Sequence, residues 1–442
     1  MTEKVLKEES AGKLIFDGIQ HIAALCAGAM AVPMIIAGAL KLSPEDTQFL
    51  ISATLMVSGI GSIIQSMGIG NMFGAKLPML EGVSFKCVSA LTAIAITYAA
   101  SGNAYEGATV IFGATIASGI FIMLAAPIIG KILRFFPLLV SGVVVTSMGL
   151  SLVPTALKWI GGGNPSAPDF ASPDKILLAL LTFLIIVVIQ KMSKGFLGNI
   201  AILIGLFVGT VVASTFGMVN FSNVVSAKVF SFNTPFYFGM PKFQLTAILS
   251  MILVQLTIMI DAVGNHITLS NICNVKSEER MVQVLRGHGL CSTIAGLFNS
   301  YPQAIFGQNV GVVALTKKYD RRIGGVAGVI LIIITLFPKA TAVLTAIPLP
   351  VLGGAGIIMF GMVVANGIKL LGAVDYVNNK NLMIVAISLG MALIPITVPQ
   401  MFNNASKDVK ILFNSAIILG AITSIILNIL FNELGNKKEE NK

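Results

Sequence analysis

The chain has 442 residues, of which 55% are hydrophobic and only 11% are charged. Because a typical soluble domain carries about 25% charged residues, this composition excludes a soluble enzyme, a nucleic-acid-binding protein and a disordered protein. The formal net charge of +10 is typical of a membrane protein whose cytoplasmic loops are rich in lysine and arginine. The apolar runs are long rather than alternating, which argues against an outer-membrane β-barrel. The sequence therefore predicts an all-α polytopic membrane protein that lies in a lipid bilayer.

Fourteen apolar stretches suggest membrane spans, for which a helix needs about 20 residues. They cover residues 14–40, 47–68, 83–101, 106–128, 136–154, 174–190, 196–216, 243–264, 283–299, 309–316, 322–343, 350–371, 381–399 and 409–431. The tenth is too short to cross a bilayer alone, and the third follows a polar segment. With the N-terminus in the cytoplasm, every arginine and most lysines fall on the inner side. This asymmetry predicts a multi-pass protein of the cell membrane with cytoplasmic N- and C-termini.

Two of these stretches resemble each other in sequence. The fifth opens with FPLLVSGVVV and the twelfth with IPLPVLGGAG, so that Pro137 aligns with Pro348 and Gly142 with Gly353. The two stretches are seven spans apart, and an odd offset gives the halves opposite topology, as in many secondary transporters. In the same scheme the third and tenth stretches occupy equivalent positions in the two halves, and both are irregular. Paired interrupted segments of this kind indicate a substrate site.

The sequence predicts neither a metal site nor an organic cofactor. Cys26, Cys87, Cys273 and Cys291 lie in or beside apolar stretches without metal-ligand spacing, and we interpret them as small buried hydrophobic residues rather than a disulfide framework or a zinc site. Carboxylates inside the membrane are too few for a metal or sodium cage, and the sequence contains no nucleotide-binding loop. These features favour a secondary transporter that uses protons as the coupling ion.

Polar residues inside apolar stretches are costly and indicate function. Asp261 lies near the end of the eighth stretch, in QLTIMIDAVGNHITLSN, where an ionised carboxylate needs a partner or a proton. We interpret Asp261 as a substrate ligand and proton-coupling residue, the alternative being a helix-end residue that reaches the membrane interface. Asn265 follows one turn later on the same helix face. His266 points elsewhere and is interpreted as a packing or interfacial residue.

The strongest local signal lies around the tenth stretch, in YPQAIFGQNVGVVALTKK. Gly307, Gln308, Asn309 and Gly311 form the polar, glycine-bearing start of a short helix, which exposes backbone N–H groups and the positive end of the helix dipole. Gln308 carries both a donor and an acceptor and can pair with an amide-like edge of a ligand. The alternative is a structural kink.

Two further polar spots complete the predicted site. In EGVSFKCVSAL, Ser84 and Phe85 occupy the equivalent position of the third stretch. An aromatic ring beside exposed amides suits a flat heteroaromatic ligand, although Phe85 alone is also typical of packing. In the first stretch, DGIQHIAAL contains Gln20 and His21, which either support the site or hydrogen-bond between helices. Together these residues predict a site near the membrane midplane for a small, planar, hydrogen-bonding solute.

These residues carry a resemblance to the nucleobase–ascorbate transporter family, also called nucleobase:cation symporter 2, and to its bacterial xanthine and uric acid permeases. GIQHIAAL resembles the family's Gln-His motif in the first span. GQNVGVVALTKK resembles its Q/E-N-x-G-x-x-x-x-T motif in the tenth span, matched by Gln308, Asn309, Gly311 and Thr316. The likeness covers roughly residues 14–430.

The resemblance implies fourteen spans in two inverted repeats of seven, with short β-strands in the third and tenth spans. It also implies a homodimer and an elevator movement of a core domain against a gate domain. The implied parts are cytoplasmic tails at residues 1–13 and 433–442, core segments 14–130 and 243–345, and gate segments 131–242 and 346–432.

The resemblance further implies how a base is bound. Phe85 would stack on the base, and Asp261 would replace the family's eighth-span glutamate, which holds the base edge and is tied to proton coupling. Gln308 would pair with the opposite edge, helped by backbone N–H groups near Gly307. Family members that carry uracil tend to have glutamate at the position of Gln308, and those that carry xanthine or urate tend to have glutamine. The resemblance therefore favours import of an oxidised purine. Supporting residues would be Asn309 and His21.

Three positions depart from the family pattern. Asp261 is one methylene shorter than the usual glutamate, Asn265 replaces an aspartate or histidine, and Lys86 follows Phe85 where a small or neutral residue is usual. Lys86 either pairs with Asp261 or Glu81, binds an anionic substrate such as urate, or points out of the site. The alternatives to a purine symporter are a uracil:proton symporter and an anion transporter of the same seven-plus-seven architecture. A channel or a membrane enzyme is less favoured, since the sequence shows no nucleophile–base pair.

Overall fold

The computed structural model describes residues 10–129, 136–193, 196–377 and 379–434, and these are mostly helical. The N-terminal elements are α1 (Ala11–Leu40), α2 (Pro44–Met67), β1 (Glu81–Val83), α3 (Val88–Ala99), α4 (Ala104–Ala125), α5 (Leu138–Ile160), α6 (Pro173–Met192), α7 (Phe196–Asn199), α8 (Ala201–Thr215) and α9 (Ser222–Ser226). The C-terminal elements are α10 (Leu245–Ile272), α11 (Met281–Leu297), β2 (Gln303–Ile305), α12 (Gly307–Thr316), α13 (Arg322–Thr335), α14 (Pro338–Thr345), α15 (Leu349–Leu371), α16 (Asn379–Thr397), α17 (Lys407–Phe413) and α18 (Ala416–Asn428).

Nine of the described helices are long and apolar enough to cross a membrane. A tenth candidate span is the pair α13 and α14, which is bent by 87°. The bend falls at Pro338, because proline lacks a backbone donor and disfavours helical geometry in the residue before it. The prediction of a multi-pass helical protein is thereby confirmed, and the count of fourteen spans stays a prediction.

Two further predicted stretches are divided into separate helices. The stretch 409–431 contains α17 and α18, because the hydroxyl of Ser415 accepts a hydrogen bond from the N–H of Ile418 at 3.4 Å and begins a new helix. The stretch 196–216 contains α7 and α8. Hydropathy does not reveal these breaks, because the residues on both sides remain apolar.

The two strands pair with each other inside the protein. β1 and β2 are antiparallel, with Glu81 opposite Ile305, and the N–H of Phe306 extends the ladder by donating to the carbonyl oxygen of Leu80 at 3.0 Å. Backbone groups at membrane depth must be satisfied within the protein, and this small ladder satisfies them. Two short helices follow the ladder, α12 directly after β2 and α3 after a 3₁₀ turn that follows β1.

The helices α5 and α15 pack against each other in a reciprocal way. A Cβ added to Gly142, near the start of α5, would lie 2.7 Å from the side chain of Leu371 at the end of α15. A Cβ added to Gly353, near the start of α15, would lie 2.5 Å from the backbone nitrogen of Ile160 at the end of α5. The glycines that align in the sequence repeat thus occupy matching places in one helix–helix contact. Elsewhere α2 packs on α13, and α4 packs on α11.

Candidate functional site

The end of β1 positions an aromatic ring and a lysine at the start of α3. The hydroxyl of Ser84 accepts a hydrogen bond from the N–H of Lys86 at 3.2 Å, so the 3₁₀ turn begins directly after the strand. The ring of Phe85 is partly exposed and meets Phe360 of α15 edge-on, with centroids 5.8 Å apart. Phe360 in turn packs against Trp159 of α5 at a centroid distance of 6.3 Å. Phe85 therefore lies at the boundary between α3 and the α5–α15 pair.

Lys86 pairs with Asp261. Its Nζ lies 2.7 Å from Oδ2 of Asp261 and donates to the carbonyl oxygen of Thr257 at 2.9 Å. The lysine side chain is 6% exposed and the aspartate side chain is 47% exposed, so the negative member of the pair is the accessible one. Of the partners that the sequence left open for Lys86, the structure selects Asp261 rather than Glu81. The pair is electrically neutral, and removal of the carboxylate would leave a buried ammonium without a counter-charge.

Asn265 connects α10 to the second strand. Its Nδ2 donates to the carbonyl oxygen of Ile305 at 3.2 Å, and its Oδ1 lies beside Gly307, where an added Cβ would be 3.5 Å away. Asn265 therefore holds the start of α12 close to Asp261, which lies one turn earlier on α10. The neighbouring His266 is buried, and its Nε2 contacts a carbonyl oxygen of the loop after α10 at 3.0 Å.

The start of α12 is accessible and has no side-chain cap. Gly307 and Gln308 are both exposed, and the N-cap residue Phe306 provides no side-chain acceptor. The first N–H groups of a helix have no partner within the helix and carry its positive dipole end. The backbone here is thus suited to donate hydrogen bonds to a carbonyl oxygen or an anionic edge of a ligand, beside the amide of Gln308.

Asn309 and His21 lie beneath this surface. Both are buried, and Oδ1 of Asn309 contacts Nδ1 of His21 while Nδ2 donates to the carbonyl oxygen of Pro78 at 3.0 Å. These contacts join α12 to α1 and to the segment before β1. Gln20 and Gly311, the other predicted supporting residues, are partly buried.

Exposed positions extend from the site along two helices. A strip of exposed positions leads toward the C-terminal ends of two helices: Asp261, Gly264 and Thr268 on α10, and Gly307, Gln308 and Ala314 on α12. In the opposite direction the start of α3 is buried and Phe85 contacts Phe360. A separate cavity of about 400 Å³ lies further along α3, against α5, α16 and α18, and its lining includes Ser89, Thr92, Ser151, Thr155 and Asn414. Of the predicted site residues, Asp261, Gly307 and Gln308 lie in this strip, and none of the predicted site residues lines the cavity.

A second polar cluster lies behind β1, and the sequence analysis did not identify it. Gln65, Glu81, Gln255 and His288 are all fully buried, and they contact one another in pairs. A sequence signal was present, because Glu81 and His288 are ionisable residues in apolar surroundings, the criterion that singled out Asp261. Within the described ranges, no group of three or more His, Cys, Asp or Glu side chains is arranged to hold a metal ion, and the four cysteines are free.

Comparison with known proteins covers nearly the whole chain. A family model described as Permease family matches residues 12–401. The uric acid transporter UacT of Escherichia coli (strain K12) is 38% identical over 433 residues, which are 98% of this chain and 88% of that protein. The uric acid permease PucK of Bacillus subtilis (strain 168) is 38% identical over 96% of this chain and 97% of its own length. The xanthine permease of the same organism is 37% identical, with 97% and 96% coverage.

Solved structures share the fold at lower sequence identity. The transmembrane domain of a cyanobacterium bicarbonate transporter, BicA, superposes with a TM-score of 0.60 at 17% identity and covers 94% of this chain and 96% of that domain. The murine anion transporter Slc26a9, in its inward-facing state, superposes with a TM-score of 0.65 at 13% identity and covers 97% of this chain and 69% of that one. At these identities the likeness concerns the fold alone.

Proposed function

The chain belongs to the nucleobase–ascorbate transporter family, whose members matched here are permeases and not enzymes, and on that premise we propose that it imports a purine nucleobase together with protons. Uric acid and xanthine are the favoured substrates, because three relatives that match nearly the whole chain are named for them. Glutamine at position 308 agrees with this choice. The proposed protein is a secondary active transporter that needs no cofactor.

One observation carries the proposal: three recognition elements for a flat base lie on segments that contact one another, namely the paired strands and α10. Phe85 provides a ring for stacking. Asp261 provides a carboxylate for a ring N–H, and Gln308 with the N–H groups at Gly307 provides partners for the opposite edge. Asn265 links the two sides through its contacts with β2 and α12. Ser84 completes the proposed set by holding the turn that carries Phe85.

The Lys86–Asp261 pair suggests how substrate and proton are linked. An oxidised purine has carbonyl oxygens and acidic N–H groups, and as an anion it carries a negative charge that can take the place of Asp261 beside Lys86. The released carboxylate of Asp261 then accepts one proton from water. The site keeps the same net charge, since one anion and one proton have entered together. Asp261 is thus proposed both as a substrate ligand and as a proton-coupling residue.

The proposed movement is of the elevator type, within fourteen spans arranged as two inverted repeats of seven. The proposed core (14–130 and 243–345) would carry the site past the proposed gate (131–242 and 346–432). The reciprocal α5–α15 contact supports a repeat relation within the gate, and the Phe85–Phe360 contact supports a boundary between the two parts. We further propose a homodimer in the cell membrane with both termini in the cytoplasm.

The test is uptake of labelled xanthine and uric acid by cells that lack their own purine carriers. We expect saturable uptake that purines and a protonophore abolish and that uracil does not. The Asp261→Asn variant should lose accumulation while it remains in the membrane, and Asp174→Asn, which changes an exposed carboxylate at the start of α6, should behave like the parent. Absence of purine uptake by membrane-inserted parent protein would refute the proposal.

The same assay separates the two alternatives. A uracil:proton symporter would show uptake that uracil blocks and xanthine does not. An anion transporter, which the buried Lys86 would suit, would be blocked by bicarbonate or another small anion and would be insensitive to neutral purines.

A further inference from the structure

Glu81 and His288 meet inside the protein, away from the proposed substrate ligands. Oε1 of Glu81, on β1, lies 3.5 Å from Nδ1 of His288, on α11, and both side chains are fully buried. Gln65 of α2 donates from Nε2 to the same Oε1 at 2.8 Å. The second carboxyl oxygen, Oε2, is buried and has no hydrogen-bond partner among the described residues. A buried carboxylate in such surroundings needs a counter-charge or a proton.

The hydrogen bonding of His288 determines how many protons the pair holds. Its Nε2 lies 3.1 Å from Oε1 of Gln255, and an amide oxygen is only an acceptor, so Nε2 carries a hydrogen. In a neutral ring Nδ1 then carries a lone pair, and this lone pair would face an oxygen of Glu81. One proton between them removes the repulsion, either on the carboxyl group or on the imidazole. With the amide of Gln255 oriented in this way, the geometry favours one proton on the pair.

None of the described groups that face the pair supplies a positive charge that could take the place of that proton. The groups that face the pair are Gln65 and Ser62 from α2, Gln255 from α10 and the thiol of Cys291 from α11. Two amides, a hydroxyl and a thiol provide no positive charge. Lys86, five residues after Glu81, is instead bound to Asp261.

The pair is connected to the substrate site through two elements. Glu81 begins the strand whose continuation carries Phe85. Gln255 lies on α10 two residues before Thr257, whose carbonyl oxygen receives the ammonium of Lys86. A base that shifts either element changes the separation of Glu81 from His288, and with it the affinity of the pair for its proton.

We propose that Glu81 and His288 form a second proton site, which binds one proton from water on one side of the membrane and releases it on the other side in each cycle. The inference rests on the proposed function and adds to Asp261 a separate carrier for a transported proton. Only an O–H or N–H bond forms and breaks, so the proton alone balances the step. A purely structural role would require the network but no proton exchange.

The variant that tests this is Glu81→Gln. A glutamine side chain keeps an acceptor for Gln65 at the position of Oε1 and cannot ionise, so it retains that hydrogen bond while it removes the carboxyl group from the pair. In proteoliposomes at zero membrane potential, we expect xanthine counterflow to remain within twofold of the parent. Accumulation driven by a pH gradient should fall, because loss of one coupled proton lowers the attainable ratio about tenfold per pH unit imposed. The matched control is Glu279→Gln, which changes an exposed carboxylate before α11.

Three outcomes would overturn the proposal. The slope of log accumulation ratio against imposed pH difference should decrease by one in Glu81→Gln, and an unchanged slope would refute the inference. Loss of counterflow together with accumulation would assign the pair a structural role. Infrared difference spectra of purified protein between low and high pH provide a readout without transport: a carboxyl or imidazole band that is present in the parent and lost or shifted in Glu81→Gln is expected, and identical spectra would contradict it. Failure of the parent to take up purines would instead refute the proposed function.

Discussion

The two segments that lead from a strand into a helix, after β1 and after β2, both start from the paired strands but present different chemical groups. After β1, the hydroxyl of Ser84 caps the turn, and the chain continues with a partly exposed ring at Phe85 and a buried cation at Lys86. After β2, no side chain caps the helix, and Gly307 and Gln308 are open to ligand. The first segment thus provides charge and an aromatic surface, and the second provides free backbone donors and an amide. Two segments with a similar backbone can offer complementary halves of one site.

The largest effect is expected from loss of the carboxylate of Asp261, which balances the charge of Lys86 in the first segment. Asp261→Asn leaves the ammonium of Lys86 buried without a counter-charge, and we expect loss of purine accumulation and a destabilisation of about 1–3 kcal/mol. The double variant Lys86→Met/Asp261→Asn removes both charges and should regain most of the stability without regaining accumulation. Thermal unfolding in detergent and uptake in cells measure the two quantities. Equal stability of the single and double variants would contradict the pairing.

The next largest effect is expected from removing the buried contacts of Asn309, which hold the second segment in place. Asn309→Ala deletes the contacts with His21 and the Pro78 carbonyl, leaving buried polar groups unpaired at a cost of about 1–3 kcal/mol. We expect a lower unfolding temperature and a reduced maximal uptake rate. The control Asn220→Ala alters an exposed loop asparagine and should match the parent. Unchanged stability of Asn309→Ala would show that these contacts do not hold α12.

A smaller effect is expected from changing Gln308, the side chain with which the second segment would recognise the base. Gln308→Glu replaces a group that both donates and accepts with one that only accepts, and an unpaired polar edge costs about 1–3 kcal/mol. We expect xanthine affinity to fall about tenfold or more and uracil to become a competitor. Inhibition constants in the uptake assay measure the change, with Gln190→Glu at the exposed end of α6 as the control. Unaltered competition by all bases would remove Gln308 from the site.

The smallest effect is expected from adding one methyl group at Gly307, the first residue of α12. An added Cβ at Gly307 meets Asn265 at 3.5 Å, an ordinary contact, and alanine favours a helix by up to about 1 kcal/mol over glycine. We expect Gly307→Ala to fold as well as the parent and to raise the apparent KM for xanthine several-fold, since the methyl group would press on a base lying against this turn. A KM equal to that of the parent would place the base elsewhere.

The sequence was sufficient for the family and for the membrane-spanning helical class, because composition and the polar motif around Gln308 depend on local residues. The comparisons confirm the family. The pairing of Lys86 with Asp261 could not be chosen in advance, because 175 positions separate them and spacing gives no relative orientation. Glu81 and His288 each showed the signal of an ionisable residue in apolar surroundings, but their contact could not be predicted, because only the fold brings β1 against α11. The roles assigned to the site residues stay predictions.

Trp159 is the single tryptophan of the chain, and it lies two rings away from the candidate site. It is buried in α5 and touches Phe360, which touches Phe85. Indole emission depends on the polarity of its surroundings, so separation of Phe85 from Phe360 would change the light emitted by this one residue. The protein therefore contains a native optical reporter at the boundary where motion is proposed, and its working cycle can be followed by fluorescence without an attached dye.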